Sequence, residues 1–264
     1  MNKVLITGAS QGIGYAFAKY YASLGDELYL VSRNQLKLID VKTELENLYR
    51  NRIHIYSLDL AKVGSAKQLY EIIDEEIDIL INNAGVGYTQ QADYIDIDQE
   101  ESMVVLNDIT MMSLTKLFIK DMKTREHGTI INISSTGSFQ PGPYIAGYYA
   151  SKSFVTSYTR AIHEEYKQYG LQIYCVCPGP VDTDFYMNSG IYAPKYAMQP
   201  EKVVKYTIKH MKNNCLIIPG FMNRISRWIP EKIRISFIRK SKYKTLTSNR
   251  IYTSKNEKSK IRDK

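Results

Sequence analysis

The stretch Tyr148-Tyr149-Ala150-Ser151-Lys152 places a phenol four residues before an ammonium. On a helix that spacing puts both groups on one face, one turn apart. A phenol titrates near ~10, and a nearby cation eases proton release by favouring the phenolate. The pair is a candidate proton relay. In a chain with 22 tyrosines, however, chance supplies such spacings, so the pair carries no weight without its context. Ser135 lies thirteen residues earlier, at the end of the apolar run Thr129–Ser134. Strand carboxyl ends are where open α/β sheets bind ligands, and a strand end and the next helix start can meet at one point. Tyr149 points about 100° away from Tyr148 on a helix, and packing is its expected part.

A second cluster suits phosphate. Thr7-Gly8-Ala9-Ser10-Gln11-Gly12-Ile13-Gly14 follows the first apolar run and opens a helical pattern. Gly8 permits a sharp turn, Gly12 clears the approach of a pyrophosphate, and Gly14 lets the helix lie close to the sheet. The helix N-terminus offers free N–H groups and a positive dipole end to the anion. Glycine triplets are common in loops, but one between a first strand and a helix has the context of a dinucleotide site. The second apolar run ends in Ser32-Arg33, without the acid that accepts hydrogen bonds from the ribose of NAD. A guanidinium there matches a 2′-phosphate. Arg33, with Ser10 and Ser32 as helpers, predicts NADPH or NADP+ over NAD.

These groups need a rigid scaffold. Strands are expected at Lys3–Thr7, Leu28–Val31, Ile53–Leu58, Ile77–Asn82, Thr129–Ser134, Leu171–Val176 and Cys215–Ile218. Helical patterns fall between them, at Gly12–Leu24, Gln35–Tyr49, Ser65–Glu75, about Glu100–Arg125, Gly147–Tyr169 and Pro200–Lys212. Strands that are apolar on both faces and alternate with helices predict a doubly wound parallel α/β sheet, a Rossmann fold of three α/β/α layers. One domain is expected over residues 1–219.

The spacing G-x-x-x-G-x-G after Thr7, the run Asn82-Asn83-Ala84-Gly85 closing the fourth strand, and Tyr148 with Lys152 together resemble the short-chain dehydrogenase/reductase family. The matches run through residues 3–185. The resemblance implies a catalytic group of Asn107, Ser135, Tyr148 and Lys152. Ser135, favoured over Ser134 by the family spacing, would orient a carbonyl oxygen. Tyr148 would exchange its proton, and Lys152 would lower the phenol pKa and hold the nicotinamide ribose. Asn107, in the long helix, would carry a water linking Lys152 to solvent. The resemblance also places Asp59 at the adenine amino group, and Asn83, Ala84 and Gly85 along the adenine–ribose wall. Asn82 is expected to brace the sheet. Pro178, Gly179, Val181 and Thr183 would lie beside the nicotinamide, with Gly8, Ser10, Gly12, Ile13, Gly14 and Arg33 completing the cofactor set.

The implied activity is hydride reduction of a ketone or aldehyde to an alcohol, or the reverse, with a 3-oxoacyl group or another apolar carbonyl as substrate. The alternative is a non-catalytic NADP(H) sensor on the same fold, against which the complete four-residue group argues. Residues 184–197 resemble a substrate lid. Phe185 and Tyr192 from the lid, with Phe139, Pro141 and Tyr144 opposite, form the expected substrate wall.

The net charge of +8 is unevenly placed. Residues 220–264 hold 14 Lys/Arg against 3 Asp/Glu, a net of +11, which leaves the body at −3. This argues against a nucleic-acid-binding body. Residues 220–240 read as basic amphipathic helices with an apolar face of Met222, Ile225, Trp228 and Ile229, suited to peripheral membrane contact or to packing on the body. Residues 241–264 read as a flexible basic tail. Cys175, Cys177 and Cys215 are too few for a disulfide framework and wrongly spaced for zinc, and no metal is expected. No signal-peptide pattern and no uninterrupted apolar run of ~18 residues are present. A cytoplasmic protein, alternatively membrane-associated, is expected, as a homodimer or homotetramer; the basic tail sets the tetramer in question.

Overall fold

The computed structural model describes residues 1–185, 194, 196–212 and 214–262, with side chains as far as residue 247. Among them are seven strands: β1 (Lys3–Thr7), β2 (Glu27–Ser32), β3 (Ile53–Ser57), β4 (Ile79–Asn82), β5 (Thr129–Ile133), β6 (Gln172–Val176) and β7 (Leu216–Ile217). They form one sheet in the order β3-β2-β1-β4-β5-β6-β7, and every pairing is parallel. The helices are α1 (Gly12–Ser23), α2 (Gln35–Tyr49), α3 (Ser65–Ile73), α4 (Ile97–Val104), α5 (Met111–Thr124), α6 (Ala146–Tyr166), α7 (Pro200–His210), α8 (Phe221–Ile225) and α9 (Glu231–Arg262).

Alternate strand residues supply two core layers, as the two-residue pleat requires. Val4 and Ile6 join Phe17 of α1, Leu38 of α2 and Val203 of α7 on one face. Leu5 joins Leu69 of α3, Phe118 of α5 and Ile162 of α6 on the other. Each such buried side chain contributes roughly 1.5–3 kcal/mol, so both faces of the sheet are held. The chain winds from β1 outward to β3, then returns past β1 to β4. That reversal opens a crevice at the carboxyl ends of β1 and β4.

The long helix predicted over Glu100–Arg125 is not continuous. Asp96 caps its start by accepting from Asp98 N and Gln99 N, both at 3.1 Å. A π-helical turn, Val105–Thr110, then separates α4 from α5. Such a widened turn re-aims side chains and is frequent at functional sites. The run Ile97–Thr124 is long and apolar enough to cross a membrane by length and composition, yet half of its apolar window is buried in the core.

Beyond β7 the chain folds back over the body. Pro230 ends the first short helices, and α9 starts at Glu231. No break falls at residue 240: α9 runs through the stretch expected to be flexible as far as Arg262. Three arginines beyond β7 reach the body. Arg224 Nη1 donates to Tyr206 Oη at 2.9 Å, Arg234 Nη1 to the Phe139 carbonyl at 3.0 Å, and the Arg227 guanidinium lies 4.5 Å from the Phe139 ring centroid. Phe221, Met222, Trp228, Ile233 and Phe237 are left exposed.

Candidate active site

The turn from β1 into α1 is set by glycine. Gly8 has φ +66°, in the left-handed region. A Cβ on Gly14 would stand 2.3 Å from the Gly8 carbonyl oxygen, so the first turn of α1 packs directly on the loop. Gln11 provides no side-chain cap. The first N–H groups of α1 therefore have neither an intrahelical acceptor nor a cap, and are disposed for an anion. Thr7 ties this loop to the end of β4: its Oγ1 accepts from Asn83 N and Ala84 N, both at 3.0 Å. Asn83 Nδ2 donates back to the Thr7 and Gly8 carbonyls at 3.0 and 3.1 Å. Asn82 Nδ2 donates to Thr115 Oγ1 at 3.0 Å and Asn132 Oδ1 at 2.9 Å, which links β4, α5 and β5.

A cavity of about 570 Å³ runs along these strand ends. Gly8, Ser10, Gly12, Ile13, Arg33 and Asp59 line the end near β1 to β3, whereas Gly14 lies behind the wall. The Ser10 and Ser32 hydroxyls are 2.8 Å apart. Arg33 is exposed and forms no ion pair with a described residue, and no carboxylate stands at the end of β2. Asp59 Oδ1 accepts from Ala61 N at 3.1 Å. Asn83, Ala84 and Gly85 line the middle, and Pro178, Gly179, Val181 and Thr183 close the far side. Thr183 comes so near Gly12 that a Cβ there would lie 2.9 Å from its Cγ2.

Ser135, Tyr148 and Lys152 meet at the β5 end of this cavity. The two serines differ. Ser134 is buried, donates to the Lys152 carbonyl at 2.9 Å and bonds Thr156 Oγ1 at 2.7 Å. Ser135 accepts from Gly137 N at 3.0 Å and also bonds the Tyr148 phenol. Burial pushes the phenol above its ordinary value, and the Ser135 bond pulls the other way. Lys152 makes no comparable contribution to Tyr148. Its Nζ donates to the Ile133 carbonyl at 2.9 Å and lies 5.8 Å from the phenol ring centroid. Burial brings the Lys152 ammonium down to about 8, with Asp108 pulling it up. Asp108 is itself raised to about 6 by burial, against the pull of Lys152.

Asn107 does not reach the cavity. It is 1% exposed in the π-helical turn. Its Nδ2 donates to the Val86 carbonyl at 2.9 Å and to Ser151 Oγ at 3.0 Å, and its Oδ1 accepts from Val86 N at 3.0 Å. A Cβ on Gly85 would stand 3.1 Å from Asn107 Oδ1 and 3.3 Å from Lys152 Nζ. Asn107 is thus a positioning residue that fixes the 85–87 backbone beside Lys152. Tyr15 and Lys19 share the Tyr148–Lys152 spacing, but Tyr15 donates to Glu44 at 2.6 Å on the outside of α1.

The expected substrate wall needs correction. Phe185 lines the cavity, with its ring 5.2 Å from that of Tyr148. Phe139 does not, because the 3-10 turn Thr136–Phe139 carries it toward Cys175, Cys177 and Ile218. Pro141 and Tyr144 also lie outside the lining; Tyr144 takes φ +67° and sets its ring 6.0 Å from Tyr243. Tyr192, with most of the 184–197 segment, falls outside the described residues. Ile145, Tyr149 and Lys242 line this end instead. Tyr149 lies across Gly137 and Gly142, where an added Cβ would come within 2.9 and 2.5 Å of its ring. Lys242 comes from the tail, where no local pattern marks it.

The profile of the family described as short chain dehydrogenase matches residues 2–191. The chain belongs to this family. It is 32% identical over 227 residues to the very-long-chain 3-oxoacyl-CoA reductase of Anas platyrhynchos, covering 80% of this chain and 71% of that one. It is likewise 32% identical over 237 residues to 17-beta-hydroxysteroid dehydrogenase type 3 of Homo sapiens, covering 85% and 75%. Among solved structures, a short-chain dehydrogenase from Sphingobium yanoikuyae in complex with NADPH superposes with a TM-score of 0.81. It is 25% identical, and the match covers 86% of this chain and 91% of that one. The protein is therefore a short-chain dehydrogenase/reductase, an oxidoreductase of CH–OH and carbonyl groups that uses a nicotinamide dinucleotide.

Proposed function

We propose that this chain reduces a ketone, of the 3-oxoacyl or another largely apolar class, with NADPH. The observation that carries this reading is the single cavity holding Arg33 at one end and Ser135, Tyr148 and Lys152 at the other. The residues fit the cofactor. Gly8 and Gly14 leave no room for a side chain under the α1 N-terminus, where a diphosphate would sit, and Arg33 is disposed for a 2′-phosphate. When bound, the dinucleotide supplies the hydride for the carbonyl carbon.

The rest is work for this chain's side chains. The Ser135 hydroxyl donates to the carbonyl oxygen and fixes its orientation. The Tyr148 hydroxyl gives its proton to the same oxygen as charge develops there. Burial keeps that phenol protonated at neutral pH, the form needed for reduction. An alkoxide is a stronger base than a phenolate, so the transfer still runs toward the product. Lys152 remains largely cationic at neutral pH and, held on the Ile133 carbonyl, would bind the ribose hydroxyls of the cofactor. Asn107 acts at one remove, through the 85–87 backbone.

The test is NADPH oxidation with a panel of carbonyl compounds, wild type against Tyr148→Phe. The variant should lose roughly 100- to 10,000-fold in kcat while NADPH affinity, read by fluorescence, stays the same. A wild type that binds NADPH tightly and reduces no carbonyl would establish the sensor reading instead.

We also propose a peripheral membrane contact through residues 221–240. Arg224, Arg227 and Arg234 of this segment contact the body, Trp228 is 88% and Met222 73% exposed, and the cations Lys232, Arg239 and Lys240 flank them. Apolar side chains facing out beside cations fit an anionic bilayer surface. A homodimer or homotetramer fits exposed Val104, Ile109 and Phe154 on the α4–α6 side.

A further inference from the structure

The cavity holds three cationic side chains, Arg33, Lys152 and Lys242, and one carboxylate, Asp59. Arg33 and Asp59 stand at the adenosine end, and Lys152 would hold the cofactor ribose. Lys242 has no part in the reading above. It belongs to α9, which crosses the opposite end of the cavity. Arg234 anchors this helix to the Phe139 carbonyl, and Tyr243, the neighbour of Lys242, sets its ring 6.0 Å from that of Tyr144. Both anchors lie on the segment that follows β5, two strands along the sheet from the Gly8–Gly14 loop at β1 and on the side away from β2 and Arg33. Lys242 therefore reaches the substrate end, among Ile145, Tyr149 and Phe185.

We propose that Lys242 recognises an anionic group on the carbonyl substrate, a carboxylate or a phosphate, and so selects charged carbonyl compounds over neutral ones. This deepens the reductase reading and rests on it. A few placed polar groups in a largely apolar pocket set ligand orientation and specificity. An ammonium in a partly buried wall is costly unless an anion answers it. No described charged group acts on Lys242, and burial alone lowers its pKa. A substrate anion would answer it.

The experiment uses the full chain with saturating NADPH and two matched substrate pairs. The first pair is 3-oxobutanoate and its ethyl ester, which differ in a carboxylate. The second is acetoacetyl-4′-phosphopantetheine and acetoacetyl-pantetheine, which differ in one phosphate. Wild type should favour the anionic member of at least one pair in kcat/KM, and that pair identifies the anion. Lys242→Met should lose about tenfold or more on that member alone. Lys242→Arg should keep the preference. NADPH affinity and thermal unfolding should be unchanged in both variants, which shows that they fold and that the cofactor site is intact. Equal losses on charged and neutral members, no preference in wild type, or a loss traced to weaker NADPH binding would each overturn the assignment while leaving the reductase intact. Absence of turnover on all four compounds and on the wider carbonyl panel, with NADPH bound, would instead remove the reductase reading and this inference with it.

Discussion

Asp108→Asn should make the protein more stable at neutral pH, by an amount that depends on pH. Asp108 is 9% exposed, and its Oδ1 has no hydrogen-bond partner among the described residues. Burial raises its carboxyl from 3.8 to about 6, even with the Lys152 ammonium pulling it down. Between those two values the folded protein holds a proton that the unfolded chain has released. Wild-type stability therefore falls as pH rises through this window, and the full penalty is present above it. The gap corresponds to up to about 3 kcal/mol, with the attraction of Lys152 already included. Asparagine has the same shape and no charge, so the variant escapes the penalty. Urea unfolding from pH 3.5 to 7.5 should show equal midpoints at the acid end. Above pH 6 the variant should gain up to about 3 kcal/mol. Loss of Asp108 also removes the upward pull on Lys152, so the alkaline limb of the activity profile should move to lower pH. A variant less stable than wild type at pH 7.5, or a difference that does not vary with pH, would refute the argument.

Other substitutions probe other parts of the molecule. Arg33→Asp should weaken NADPH use by roughly 10- to 100-fold in kcat/KM with little effect on NADH, since one charge-assisted contact to the 2′-phosphate is lost. If wild type uses the two cofactors equally, the role given to Arg33 is wrong. Gly14→Ala places a Cβ 2.3 Å from the Gly8 carbonyl oxygen. It should destabilise the fold by about 1–3 kcal/mol and loosen dinucleotide binding, as read by thermal unfolding with and without NADPH; an unchanged melting temperature would show that the loop yields. The full chain should sediment with anionic vesicles at low salt, and Trp228→Ser with Met222→Ser should abolish this. Failure of the intact chain to sediment would remove the membrane contact.

The sequence by itself determined the sheet and the glycine loop, and it singled out Ser135, Tyr148 and Lys152, which the fold brings to one cavity. Alternation of apolar runs with helical patterns is a local signal, and each buried parallel strand, such as Val4-Leu5-Ile6, must be apolar on both faces. The bounds of α2 and the start of α1 match the sequence pattern to the residue; Gly12 opens α1, and the structure adds that Asn34 caps α2 by accepting from Lys37 N. Ser135, Tyr148 and Lys152 were legible because a strand end and a helix start adjoin in the chain. The tertiary structure decided what depends on contacts between distant segments. It separated Ser134 from Ser135 by giving the first hydroxyl to the backbone of α6. It put the π turn under Asn107, turned Phe139 away from the cavity, and held Lys152 on the Ile133 carbonyl. It also brought Lys242 across the fold to the cavity. Residues 94 and 95 positions apart, such as Gln140 and Phe139 against Arg234, leave no mark on each other's local pattern. Only the folded chain, in which burial and hydrogen bonding select among many permitted partners, settles which of them meet.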